Sequence, residues 1–528
     1  MRYGFVIDQR RCIGCHACTV ACKEENRVPL GAFRTWVKYI ERGTFPNTRR
    51  FFSVLRCNHC DAAPCVTICP TVALYRRDDG IVDFDGERCI GCKSCMQACP
   101  YDALYIDPDT GTAAKCNYCA HRVEVGLEPA CVIVCPEQAI IAGDLDDPAS
   151  RIAAIVAREA VQVRKAEQGT RPKVFYLGAD ASALVPELQA PAEGYLWAER
   201  PREEVDLVAL VAAAQAGRGP GDGTLSRPVY DAPHLVRPWG WKVAAYLWTK
   251  SIAAGALLVG AFAGSRAWGD LFGIGAPALS LFFLAVTTAL LIADLKRPGR
   301  FAFIVLKPNW RSWLAWGAWI LMAFGGLGAV WLVAGATGRW AVLHGVLVPA
   351  VLLALATAGY SACLFGQAEG RAFWQSPLVL PQLTIAAVVA GAAALSVMAA
   401  AWPLPGTDGC RDVILSPRCL DVNPDTTLWP VLFLGLIAHA VLLGLEMFNR
   451  HPAHDASLAA RLIWRGGYRR RFWGGVVLAG VVLPVALLIA GAASDSTPLS
   501  VLGALLALAG LWVWEDLWVR AGQSVPLS

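Results

Sequence analysis

The stretch CIGCKSCMQACP, residues 89–100, holds four cysteines in the spacing CxxCxxCxxxCP. A run of this kind wraps a tight loop that carries three sulfurs to three corners of one iron–sulfur cubane, while the fourth cysteine reaches a neighbouring cluster. Working outward, the same spacing recurs at Cys12, Cys15, Cys18 and Cys22. Cys57, Cys60, Cys65 and Cys69 form another quartet, with one gap widened to four residues. Cys116, Cys119, Cys131 and Cys135 form the last, with eleven residues between its two pairs. In chain order, quartets one and four are expected to exchange their last cysteines, as are two and three. That gives Cys12, Cys15, Cys18 with Cys135; Cys22 with Cys116, Cys119, Cys131; Cys57, Cys60, Cys65 with Cys99; and Cys69 with Cys89, Cys92, Cys95. The expectation is four [4Fe-4S] clusters.

Zinc ribbons use isolated CxxC pairs that close a single tetrahedron, and cysteines two residues apart rarely meet disulfide geometry. Neither accounts for four quartets trailed by Pro70, Pro100 and Pro136. A cubane held by four thiolates has no open iron position for substrate, so its work is one-electron transfer. His16, His59 and His121 sit beside these cysteines and are expected to shape hydrogen bonding or solvation there.

The chain has 528 residues, 55% of them hydrophobic and 17% charged, with 20 tryptophans. The length allows two to four domains of ~100–200 residues, and the apolar content excludes a disordered chain and points to a membrane part. A formal charge of +5 without one continuous basic stripe excludes a nucleic-acid partner. Sixteen of the 19 cysteines lie between Cys12 and Cys135, and the long apolar runs all follow Trp239. The expected division is a cluster domain at 1–189, a Pro-, Gly- and charge-rich linker at 190–235, and a membrane domain at 236–528. Apolar stretches fall near 239–264, 271–293, 311–335, 340–366, 377–401, 427–447, 472–493 and 498–519. Each approaches the ~20 residues that cross a bilayer. Eight transmembrane helices follow.

The opening MRYGFVIDQRRC has no apolar signal core, and reduced cytosol suits dense thiols. Eight helices return the chain to the side it entered, so the cluster domain shares a face with loops two, four and six. Those loops hold twelve Lys or Arg, among them Lys296, Arg297, Arg300, Arg371 and Arg471. The opposite loops hold four: Arg266, Arg339, Arg411 and Arg418. Lys and Arg stay on the cytoplasmic side. The expected location is therefore the cytoplasmic membrane of a prokaryote, with the cluster domain inside. Cys410 and Cys419 would lie outside, where a disulfide is reasonable. Cys363 in helix four reads as a small core residue.

On all sixteen cysteines, the first 190 residues resemble the four-cluster iron–sulfur subunits of the dimethyl-sulfoxide and polysulfide reductase families. The phrases WGWKVAAYLWTKSIAAGA and LIADLKRPGRFAFIVLKPNWRSWLAWGAWIL resemble the polysulfide-reductase membrane subunits, also called NrfD-like or PsrC-like. That second likeness spans roughly 236–528. Together they imply an α+β ferredoxin-like domain with paired 4Fe-4S modules, followed by an all-α domain of eight transmembrane helices. They also imply a partner, a catalytic subunit that alone carries molybdopterin, docked at one end of the cluster chain. The cluster pair of quartets two and three would then lie nearer the membrane. Some relatives put Trp in the third quartet and hold a three-iron cluster; Cys92 is intact here. Relatives use quinone (ubiquinone or menaquinone) in the bilayer without haem.

Quinone chemistry needs donors to carbonyl oxygens and a group that exchanges protons, and polar groups inside a membrane are costly enough to be functional candidates by default. These are Tyr246, Lys250, Asp294, Tyr360 and Glu446. Asp294 is the first choice as proton acceptor, or it simply pairs with Arg297 or Arg300. Lys250 sits about two turns inside its helix, too deep for easy snorkelling. Glu515 and Asp516 are expected at the interface. His344 and His439 do not share a depth, which disfavours a bis-histidine haem.

The expected function is an electron-transfer and membrane-anchor subunit of a quinone-linked molybdopterin oxidoreductase. The inward orientation resembles that of cytoplasmic sulfite-oxidising relatives more than that of exported reductases, and this resemblance implies sulfur compounds as substrates, in sulfite-type oxidation. Other readings are a proton-translocating subunit using Lys250, Asp294, His439 and Glu446, an anchor for a hydrogenase or formate-type catalytic subunit, and a passive anchor.

Overall fold

The computed structural model describes residues 1–44, 46–189, 226–232, 237–264, 271–401 and 424–528. Cys410, Cys419 and most of the linker fall outside them.

The first strand, β1 (Tyr3–Asp8), reads YGFVID, and its Phe5, Val6 and Ile7 are all fully buried. Successive side chains of a strand point to opposite faces, and both faces here are covered. Phe5 and Ile7 join a core containing Cys18 and Cys131, whereas Val6 packs with Ile152 of a helix at Arg151–Arg158. That strand is central in a sheet whose other members are Ile140–Asp144, Val161–Gln162 and Val174–Leu177. It pairs antiparallel with the first of these and parallel with the last. A second sheet is a long hairpin, β2 (Thr35–Thr44) and β3 (Asn47–Arg56), extended by a strand at Arg227–Tyr230. Two short hairpins, Leu74–Arg76 with Val82–Phe84 and Leu104–Ile106 with Ala113–Lys115, flank the two middle quartets.

Each cysteine loop turns through left-handed backbone. Gly91 has φ +70° and Lys93 φ +64°, matched by Gly14 at +71° and His16 at +61°. A Cβ on Gly91 would sit 2.6 Å from Lys296 Cβ and 2.7 Å from Gly111 O. Both conformation and space therefore require glycine.

Among the described residues, eight helices are long and apolar enough to cross a membrane: α1 (Trp241–Phe262), α2 (Leu271–Asp294), α3 (Trp313–Ala336), α4 (Trp340–Gly366), α5 (Val379–Ala401), α6 (Leu428–Phe448), α8 (Arg471–Ser494) and α9 (Thr497–Gly522). Between the sixth and the last two runs a shorter helix, α7 (His454–Trp464), which buries Leu458, Leu462 and Ile463. Helix α1 is central and packs on α2, α4, α5 and α9. It meets α5 backbone to backbone, since a Cβ on Gly255 would lie 1.8 Å from Ala387 O. Small residues permit this close approach where helices gain nothing from excluding water.

The two parts share one apolar core. Ile68 and Ala98 from the cysteine-rich region join Trp239, Phe365, Trp374, Leu517 and Trp518. Trp239 stacks on Trp374 at 5.5 Å. Residues 523–528 are wedged at the same seam, where Arg371 Nη1 donates to Val525 O at 3.1 Å and Lys38 Nζ to Ser528 O at 3.0 Å.

Candidate functional site

All seventeen cysteines among the described residues are free of disulfides. The sixteen of the quartets gather into four groups, judged by which sulfurs interact electrostatically. Cys12 neighbours Cys15 and Cys135, and Cys18 neighbours Cys12. Cys22 neighbours Cys116, Cys119 and Cys131. Cys57, Cys60, Cys65 and Cys99 are mutual neighbours, as are Cys69, Cys89, Cys92 and Cys95. The electrostatic neighbours between groups run in one line: Cys18 to Cys131, Cys116 to Cys57, and Cys65 to Cys95.

The donor chemistry fits iron–sulfur clusters. Burial pushes the Cys18, Cys92, Cys99 and Cys116 thiols up to about 12. Such sulfurs stay neutral at physiological pH unless a metal deprotonates them. The last group lines one cavity, with Cys69, Cys89, Cys92 and Cys95 facing it beside Leu74, Ile90 and Ala113. Among the described residues, no three His, Cys, Asp or Glu side chains converge as a single metal ion requires. Neutral donors reach several sulfurs: Ala113 N to Cys89 Sγ at 3.3 Å, Ala139 N to Cys135 Sγ at 3.2 Å and Asn26 Nδ2 to Cys119 Sγ at 3.7 Å.

The three histidines pack rather than bond to sulfur through their rings. His16 packs at a tilt on Tyr39 and edge-on to Tyr230, His59 Nδ1 accepts from Val82 N, and His121 pairs with Glu25 at 2.7 Å.

The group containing Cys92 rests on the helices, held by loop two. Lys296 N and Arg297 N donate to Gly91 O and Ile90 O, each at 3.2 Å. Arg300 Nη1 reaches Cys89 O at 3.2 Å, Asn309 Nδ2 reaches Cys69 O at 2.8 Å, and Trp239 Nε1 reaches Cys92 O at 3.1 Å. Loops two and four therefore touch the cysteine-rich region directly. Arg371 of loop four donates from Nε to Gln97 Oε1 at 2.9 Å.

Asp294 pairs with neither Arg297 nor Arg300. Its carboxylate meets Lys93 Nζ at 2.8 Å, and Arg297 and Arg300 are spent on backbone carbonyls. Lys93 is 6% exposed and directly follows Cys92, so the ion pair spans the seam between cysteine loop and helix end. Deeper, Tyr246 and Lys250 of α1 meet Tyr360 and Ser361 of α4. Lys250 Nζ donates to Ala358 O at 3.0 Å and Ser361 Oγ at 2.8 Å, and lies 4.9 Å from the Tyr360 ring centroid. Tyr246 interacts with Tyr360, Ser361, Asp294 and Glu515.

Glu515 corrects the expectation of an interfacial residue, because it is 3% exposed and interacts with Lys250. Asp516 is buried too and binds Arg471 at 2.6 Å and Arg520 at 2.8 Å. Packing of the last helix on α1 brings Glu515 to Lys250, and Arg471 and Arg520 cover Asp516. Four of the five proposed quinone residues thus share one polar cluster. Glu446 stands apart, accepting from Ser376 Oγ at 2.8 Å. His344 Nδ1 contacts Trp340 O one turn back, and His439 is buried in α6.

Residues 231–526 match the family model described as polysulphide reductase, NrfD. This protein belongs to the NrfD family. Ahead of this NrfD region, residues 48–145 match a 4Fe-4S dicluster domain and residues 10–25 a 4Fe-4S binding domain. The protein is 50% identical over 202 residues to a tetrathionate reductase subunit of Salmonella typhimurium, covering 38% of its own length and 80% of that relative. It is 42% identical over 179 residues to a polysulfide reductase subunit of Wolinella succinogenes, covering 33% and 93%. It is 48% identical over 149 residues to the thiosulfate reductase electron transfer subunit PhsB of Salmonella typhi, covering 28% and 78%. This NrfD-family protein is therefore an iron–sulfur region fused to a multi-pass membrane region with eight candidate spans.

Proposed function

We propose that the protein is the electron-transfer and membrane subunit of a quinone-linked oxidoreductase. Electrons pass between a separate molybdopterin-containing catalytic subunit and quinone through four [4Fe-4S] clusters. The observation that carries this is the single line of four cysteine groups ending on the Lys93–Asp294 pair above the Tyr246–Lys250–Tyr360–Glu515 cluster. In that reading the sixteen cysteines hold the clusters, Lys250 and the two tyrosines bind quinone oxygens, and Asp294 exchanges the proton.

Sulfur compounds are the proposed substrate class, supported by relatives named for tetrathionate, polysulfide and thiosulfate. Twelve Lys or Arg against four support a cytoplasmic cluster domain, and with it sulfite-type oxidation with quinone as acceptor. The relatives' names as reductases favour the reverse flow as a second reading. Purified complex assayed with sulfite plus quinone, and with quinol plus polysulfide or tetrathionate, separates the two. About sixteen irons per chain are expected. Asp294→Asn should lower quinone turnover at unchanged iron content. Unchanged turnover removes Asp294 from the site, and zinc or far fewer irons overturns the relay.

A further inference from the structure

Arg56 ends β3 one residue before Cys57, and its side chain is 1% exposed. Its guanidinium lies against sulfur. Nη1 donates to Cys131 Sγ at 3.2 Å, and Cys116 and Cys18 are its other electrostatic neighbours. The remaining nitrogens, Nε and Nη2, have no hydrogen-bond partner among the described residues. One face of the group lies 4.5 Å from the Phe5 ring centroid. No carboxylate is among the largest electrostatic influences on it.

A buried guanidinium without an anion is too costly to persist. Arginine cannot escape by losing its proton, because its pKa stays above 12. The negative charge must come from the sulfurs. Neutral thiols supply none, whereas thiolates on an iron–sulfur cluster do. Other buried cations nearby are differently placed: Lys173 meets Asp61 at 3.0 Å and Lys93 meets Asp294. Lys115 donates to the carbonyls of Val82 and Cys116. The other donors to cysteine sulfur are neutral, among them the backbone N–H of Ala113, Ala139 and His59, the Asn26 amide and the hydroxyls of Thr19, Ser94 and Thr170.

We propose that Arg56 sets the reduction potential of the second cluster in the line, the one held by Cys22, Cys116, Cys119 and Cys131. This rests on the cluster reading above and adds an unequal step to the relay. Reduction adds one electron to the cluster, with no bond made or broken, and a fixed positive charge in contact with a ligating sulfur stabilises the reduced form. Hydrogen bonds to sulfur and net local charge are the levers by which proteins move such potentials. Lys115 acts on Cys65 of the third group without donating to a sulfur, whereas Arg56 donates directly to Cys131 Sγ, so the second cluster becomes the station where an electron arriving from the first cluster or the third rests longest. Arg56 touches no substrate and is a positioning and tuning residue.

The test is an anaerobic redox titration followed by EPR on the full chain, comparing the unaltered protein with Arg56→Gln and Arg56→Lys. Arg56→Gln should lower one midpoint potential so that the reduced fraction falls at least tenfold, which is 59 mV for one electron, with a smaller shift in the first cluster, whose Cys18 also neighbours Arg56, and the other two unmoved. Arg56→Lys keeps the charge and should recover most of that shift. Sixteen irons with four unchanged midpoints in Arg56→Gln overturn the role of Arg56 and leave the clusters standing. Far fewer irons in the unaltered protein overturn the cluster reading itself. Should Arg56→Gln lose iron, pulsed EPR on unaltered protein grown with guanidino-¹⁵N arginine decides. A ¹⁵N coupling on one reduced cluster supports the contact; its absence from all four overturns it.

Discussion

Removing the charge of Lys250 is the sharpest test of the intramembrane cluster. Lys250 is fully buried, bonds Ala358 O and Ser361 Oγ, and has Glu515, itself 3% exposed, as its electrostatic partner. Deleting one member of a buried pair leaves the other uncompensated and costs about 3–5 kcal/mol, whereas replacing both by apolar residues of similar size is close to neutral or stabilising by about 1–4 kcal/mol. Lys250→Met and Glu515→Leu alone should each be destabilised by about 3–5 kcal/mol. The double variant should be more stable than either single one, a strongly non-additive cycle. Loss of cluster absorbance during heating, at one scan rate in the same detergent, ranks the four proteins; a common scan rate is needed because unfolding of such a chain is irreversible. A double variant as unstable as the two singles combined refutes the pairing. Quinone turnover adds a second readout: the double variant should regain stability and not turnover. Full recovery of turnover would make the pair purely structural.

Three further outcomes follow from the seam and the helices. Burial, against an opposing pull from Lys165 at 3.7 Å, raises the carboxyl of Asp455 in α7 from 3.8 to about 7. The folded state therefore holds a proton that the unfolded state has lost, so this group's contribution is present at acid pH and lost as pH rises from about 4 to 7. Asp455→Asn should flatten that slope in thermal midpoints measured across pH, and an unchanged slope counts against it. Arg371→Ala removes charged hydrogen bonds to Gln97 Oε1 and Val525 O, each worth about 1.5–3 kcal/mol. Limited proteolysis should then release the cysteine-rich region from the membrane faster than in unaltered protein, and equal rates would show that the seam does not depend on Arg371. Gly255→Val should abolish membrane accumulation of folded protein, because its side chain would collide with Ala387 O. Normal yield of cluster-loaded protein would show that α1 and α5 can part.

Much of the molecule is written locally in the chain. The quartets CIGCHACTVAC and CIGCKSCMQACP and their two variants disclose clustered thiols because loop geometry depends on residues two and three apart. The eight spans disclose themselves because crossing a bilayer demands ~20 consecutive apolar residues. Buried charges carry no such signature. Asp294 stands beside Arg297 and Arg300 in sequence, yet its partner is Lys93, because loop two turns Arg297 to the Thr110 carbonyl and Arg300 to those of Gly86 and Cys89. Glu515 reads as the polar end of a helix, and becomes a buried partner of Lys250 only because α9 packs on α1. Arg371 likewise counts as one positive loop residue until Gln97, Gln523 and Val525 close around it. Arg56 looks like an ordinary end to a strand, and its setting among Cys18, Cys116 and Cys131 exists only after distant quartets fold together. The sequence by itself determined which thiols are available and how many times the chain can cross a membrane, since both are short-range properties. Tertiary structure decided which charge faces which, since an ion pair is a matter of distance in space and burial, and neither is encoded by any single window of residues.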